Sequence, residues 1–162
     1  MSSIDVRSET SALDSNAEPI NMRLEVVVVP VSDVDRAKRF YGSLGWHVDA
    51  DYVGGDDFRI VQLTPAGSAC SVIIGTGVTA AIPGSIDSLV LVVDDVETAR
   101  EDLVARGVEV SEVFHDAGGV FHHAGTTDRV PGADPDRRAK RSLASCRDPD
   151  GNGWILQEIA GR

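Results

Sequence analysis

The chain has 162 residues and a formal net charge of -11, from 26 acidic and 15 basic residues. That balance argues against nucleic acid, whose phosphates need a basic face, and against anionic membrane surfaces. No apolar run approaches the roughly 20 residues that cross a bilayer, and the length suits one domain or two half-domains with a shared core.

Residues 1–21 are rich in Ser, Asp, Glu and Ala and lack apolar periodicity. They also lack the basic start and apolar core of a secretory signal, so they read as a disordered N-terminal tail. The β-branched run 26–31 predicts a strand buried on both faces. Ser32 or Asp33 then caps a helix, with Asp35 in its first turn and Val34, Ala37, Phe40, Tyr41 and Leu44 as its apolar stripe. Gly42 and Gly45 end it. Residues 46–52 alternate, with Trp46, Val48, Ala50 and Tyr52 on one side and His47, Asp49 and Asp51 on the other. Strands at 58–64 and 69–74 follow, separated by Pro65-Ala66-Gly67, which makes residues 22–75 a βαβββ module. Residues 76–87, with Gly77, Pro83 and Gly84, read as a linker.

Residues 88–162 repeat the plan. VVVVPVSDVDRAKRFYGSLG, from Val26, aligns without a gap on SLVLVVDDVETAREDLVARG, from Ser88. Val28 falls on Val90, Asp33 on Asp95, Ala37 on Ala99 and Gly45 on Gly107. Two copies make a paired-module fold and not a solenoid. Asp94 or Asp95 caps the second helix, and Val96, Ala99, Leu103 and Val104 point inward. A strand at 108–114 precedes a long polar loop, 115–141, of the kind that often serves as a lid or binding element. Strands at 142–146 and 154–159 flank the turn Asp148-Pro149-Asp150-Gly151-Asn152. Cys70 and Cys146 sit in apolar, strand-like settings and read as reduced thiols of a cytoplasmic protein.

The duplicated module, the VPVSDVDRAKRFY helix start and the DPDGN turn resemble the vicinal oxygen chelate superfamily of glyoxalases, bleomycin-resistance proteins and extradiol dioxygenases. The resemblance implies an α+β fold of two tandem βαβββ modules whose curved mixed sheets form a shared cleft. Metal-dependent members bind a divalent ion there through a His or Gln on each module's first strand and a Glu on each last strand. Carried over by position, those ligands fall on Val26, Ser88, Ile155 and a residue near Ser71 or Val72. None is an imidazole or a carboxylate, so the expectation is no metal and no cofactor. Glu25 and Glu158 lie nearby but have the wrong strand parity.

Parity places Val26, Val28, Ser88, Val90, Ile155 and Gln157 in the cleft, as the lining of a largely apolar small-molecule pocket. Arg59 is either an anion anchor in that cleft or an edge residue. The chemically active candidates are His115, His122 and His123, with Asp116 beside the first. The acidic and basic run 134–141 reads as a solvated loop. The leading functional expectation is a metal-independent, bleomycin-resistance-like protein that binds a small molecule between its modules and forms a homodimer. The alternative is a lyase, isomerase or dioxygenase-type enzyme that uses the three histidines as acid, base or displaced metal ligands. A pocketless interaction module is the third.

Overall fold

The computed structural model describes residues 17–119 and 121–161. Residues 1–16 of the expected tail lie outside that range, and residues 17–25 form neither helix nor strand. The first sheet contains β1 (Val26–Val28), β2 (His47–Val53), β3 (Arg59–Thr64) and β4 (Ser71–Thr76) in the order β1-β4-β3-β2. The second contains β5 (Leu89–Val93), β6 (Phe114–Asp116), β7 (Arg129–Pro131), β8 (Leu143–Arg147) and β9 (Gly153–Glu158) in the order β5-β9-β8-β6-β7. In each sheet the module's first strand lies parallel to its last, β1 on β4 and β5 on β9.

The helices α1 (Val34–Ser43) and α2 (Val96–Ala105) start in the same way. Asp33 accepts a hydrogen bond from the Arg36 N–H at 2.9 Å, and Asp95 from the Thr98 N–H at 2.8 Å. Each satisfies a donor that has no partner inside its helix. The Glu158 carboxylate adds a 3.0 Å bond from the Val96 N–H, so a β9 side chain completes the start of α2. That contact confirms Glu158 as a helix-side residue.

One hydrophobic core joins the modules. Val29, Ala37, Tyr41, Trp46, Val61, Leu63, Val72 and Ile74 of the first half pack with Val108, Cys146 and Trp154 of the second. The Tyr41 and Trp46 rings stack at 4.9 Å, and the Trp154 ring stands edge-on to Trp46 at 5.3 Å. A polar clasp runs beside them. The Tyr41 hydroxyl donates to Asp148 at 2.7 Å and accepts from the Trp154 indole at 3.0 Å. Asn152, fully buried, donates to the Pro30 carbonyl and to Asp148, both at 2.8 Å. The DPDGN turn is therefore the hinge pin between the halves. The linker crosses it at Gly84, where φ is +80° and an added Cβ would strike the Asp150 carbonyl, so only glycine fits.

Several sequence expectations are corrected. The strand at 26–31 shortens to β1, which is half-buried because it lies at a sheet edge. Alternation in β2 breaks at a bulge, where Val48 pairs with Leu63 but Ala50 pairs with Gln62. Asp49 is the extra residue, so Asp51 turns under α1 while Ala50 and Tyr52 face away from it. The strand expected at 108–114 is reduced to a single Val110–Cys146 bridge, and pairing resumes at β6. The long loop is partly sheet, because β7 pairs antiparallel with β6. Val104 is exposed.

Candidate functional site

Each sheet has one face against a helix and one face open. In the second sheet Trp154 and Leu156 take the helix side, so Ile155 and Gln157 take the open side. Cross-strand pairing brings Val90 and Ser145 alongside Ile155, and Val92 and Leu143 alongside Gln157. The segment after β6 folds back over this face, with Phe121 packed on Phe114, Leu143 and Ile155. Between sheet and segment lies a cavity of about 440 Å³. Ser88, Ser145, Arg147 and Ile155 line it from the sheet side, and His122 and Arg129 from the returning segment.

The expected site residues divide. Ser88, Ile155 and His122 come together in this cavity. Gln157 lies farther along the same face, beside Phe121, and donates to the Lys140 carbonyl at 3.3 Å. Val90 and Val92 share the face but stay uncovered, at 41% and 47% exposure. Val26 and Val28 lie on the open face of the other sheet, next to Ser71 and Ile73. There Thr64 donates to Asp49 and shares a 2.6 Å hydrogen bond with Ser71. Arg59 is on neither open face. It shares parity with the core residues Val61 and Leu63, and its guanidinium binds Asp51 (2.9 and 2.8 Å) and Asp35 of α1 (2.8 Å). Arg59, followed by Lys38, holds the Asp51 carboxyl far below the usual range. Its charge is spent on fastening α1 to the sheet, which corrects its assignment as a ligand-binding residue.

The three histidines have separate surroundings. His115 Nδ1 bonds the Gly132 carbonyl at 2.8 Å. A carbonyl only accepts, so this nitrogen carries the proton. His122 Nδ1 likewise donates to the His123 carbonyl at 3.0 Å, which leaves the lone pair on Nε2. His123 Nδ1 meets the buried Asp116 at 2.7 Å and lies 3.5 Å from Asp128. The hydrogen bond and charge of Asp116 raise the His123 pKa, and the same bond lowers that of Asp116. Only His122 reaches the large cavity.

Sequence reasoning missed Arg129, Ser145 and Arg147. Arg129 belongs to a segment rich in arginines, and only pairing separates it from Arg137 and Arg138. Those two are taken by Glu97 and Glu158 and by Asp134 respectively. The lining is also more polar than strand parity predicts, because it includes these arginines and serines.

The metal positions can now be placed by register. Val90 pairs with Ile155 in the second module and Val28 with Ile73 in the first. The counterpart of Ile155 is therefore Ile73, not Ser71 or Val72, and Val72 faces the core. Val26, Ile73, Ser88 and Ile155 offer three alkyl groups and one hydroxyl, which do not fit a divalent ion. Among the described residues no group of three or more His, Cys, Asp or Glu is placed to hold a metal.

The glyoxalase/bleomycin resistance protein/dioxygenase superfamily model matches residues 23–156. The chain belongs to this superfamily. TnmS3, an antibiotic binding protein from Streptomyces sp. CB03234, superposes with a TM-score of 0.65 at 28% identity, over 88% of this chain and all of its own. A glyoxalase/bleomycin resistance protein from the same organism gives 0.61 at 29% identity, over 84% of this chain and all of its own. A superfamily member from Sphaerobacter thermophilus DSM 20745 shares the fold, with a TM-score of 0.61 at 21% identity over 86% of this chain and 98% of its own. The comparison with curated proteins yields no match. Within the superfamily this chain has the repeat, the helix caps and the DPDGN turn. Among the described residues no helix is long and apolar enough to cross a membrane.

Proposed function

We propose that the protein binds a small organic molecule on the open face of its second sheet and holds it without a metal, as a sequestering or resistance protein does. One observation carries this reading. The cavity of about 440 Å³ is of the size that small ligands occupy, and it lies where Ser88 and Ile155 stand in place of metal ligands. The antibiotic-binding activity of TnmS3 supports the same class of ligand. The apolar body of the ligand would lie against Ile155 and Phe121, with Val90, Val92 and Gln157 extending that surface.

The protein would act as a homodimer. Ile20, Met22 and Leu24 are strongly exposed in the segment leading into β1, and Val90 and Val92 are exposed on β5. Both strands are sheet edges, and apolar side chains beside an unpaired edge favour contact with another chain. A second copy would bring the open face of a first sheet, with Val26 and Val28, over the cavity. The two free cysteines fit a reducing compartment, so the cytoplasm is the proposed location.

The test is a panel of aromatic antibiotics titrated against the quenching of Trp154, which borders the cavity. Saturable quenching, lost when Ile155→Arg fills the floor, and recovery of the ligand unchanged are expected. Conversion of the ligand by the wild type and not by His122→Gln would favour the catalytic alternative, in which His122 Nε2 acts as a base.

A further inference from the structure

The walls of the large cavity contain a guanidinium that makes no ion pair with any described residue. The Arg129 guanidinium lies 4.0 Å from the centre of the Phe114 ring. Its Nη1 donates to Ser145 Oγ at 3.0 Å and its Nη2 to the Gly125 carbonyl at 3.2 Å. Among the described residues no carboxylate lies within ion-pair distance of it. Arg36, Arg59, Arg106, Arg137 and Arg138 are each paired with an acid, whereas Arg100 donates to the Ser111 carbonyl outside this cavity. Arg147 lines the same cavity, donates to the Gly151 carbonyl at 2.7 Å and has Asp87 at 3.7 Å. Partial burial and then the charge of Arg147 lower the Arg129 pKa, and the more distant charge of Asp87 opposes them only in part. The two guanidiniums disfavour one another, and a bound anion would relieve both.

Resting on the reading of this cavity as a ligand site, we infer that it recognises the carboxylate of an otherwise apolar organic ligand, with Arg129 as the anion-binding residue. The guanidinium fork matches the two oxygens of a carboxylate, and Phe114 supports the fork from behind. Ser145 Oγ accepts from Arg129, so its own hydrogen is free to donate into the same space. Ser88 adds a second hydroxyl at the wall. Glu109 and Asp87 stand at the lining as well, and they disfavour ligands with more than one negative charge. The run 134–141 does not compete for the anion, because Arg137 and Arg138 are already paired.

The experiment uses a matched pair of probes, 2-naphthoate and the neutral 2-naphthamide, with benzoate against chloride at equal ionic strength as a stability arm. The wild type should bind the acid more tightly than the amide by about tenfold or more, as a charge-assisted pair implies. Benzoate should raise its melting temperature. In Arg129→Gln the preference and the benzoate shift should vanish while amide binding persists, and the unliganded variant should melt close to wild type, since it loses two hydrogen bonds and a ring contact but no ion pair. Arg129→Lys should restore part of the preference. Equal binding of acid and amide by the wild type, or an unchanged preference in Arg129→Gln, would overturn the inference and leave the ligand site standing. Binding of neither probe would overturn both readings. A strong loss of stability in Arg129→Gln would make Arg129 a structural residue instead.

Discussion

Tyr41 carries the most deeply buried hydroxyl between the modules. Its hydroxyl serves Asp148 and Trp154 together, and burial, followed by the charge of Asp148, drives its pKa far above that of a free phenol. Tyr41→Phe keeps the ring stack but leaves a buried carboxylate oxygen and an indole N–H each short of a partner. We expect it to lower unfolding free energy by about 1–3 kcal/mol in urea denaturation, with ligand binding unchanged. An unchanged denaturation midpoint would show that the clasp contributes nothing net. Cys146, beside this cluster, has its thiol pushed up to about 11 by burial, so it stays protonated.

The segment between β6 and β8 carries an ion pair that titrates. His123 and Asp116 fasten its tip, and both pKa values move in the direction that favours the charged pair. The raised His123 value stabilises the fold fully below its ordinary 6.5, and that contribution is lost as pH rises through the folded value. The lowered Asp116 value stabilises it above its ordinary 3.8, and that contribution is lost as pH falls through the folded value. The clasp is therefore strongest between those two pH values. The melting-temperature gap between wild type and His123→Gln should be wider at about pH 5 than at about pH 9. A gap that is equal at the two pH values, or wider at the higher one, would mean that the pair is not charged as described. Because Phe121 and His122 are carried by this segment, ligand affinity should weaken in parallel with the gap.

At the scale of the whole molecule, the exposed apolar side chains of β5 and of the segment before β1 are the feature most in need of a partner. Light scattering on the purified protein should give twice the 17.2 kDa chain mass. Val90→Glu with Val92→Glu should shift it toward the single chain, since each buried carboxylate would lack a counter-charge. A wild type that scatters as one chain at micromolar concentration would leave the cavity as a single-chain site and remove the homodimer.

The fold was legible in the residues because its signals are local and repeated. Asp33 and Asp95, Gly45 and Gly107, and the matched apolar rows around Val28 and Val90 report backbone preference and periodicity, which depend on neighbours in the chain. That Val26, Ser88 and Ile155 bring no imidazole or carboxylate was legible for a related reason, since an alkyl side chain cannot ligate wherever the fold carries it. The bulge at Asp49 was not legible, because one inserted residue inverts strand parity without changing composition. The side taken by Arg59, the reach of His122 in contrast to His123, and the isolation of Arg129 also had to wait for the tertiary structure. Each depends on which distant groups, such as Asp35, Asp116 or Ser145, occupy the facing position. A guanidinium with a carboxylate beside it is a fastening, and whether a carboxylate stands there is decided by the fold.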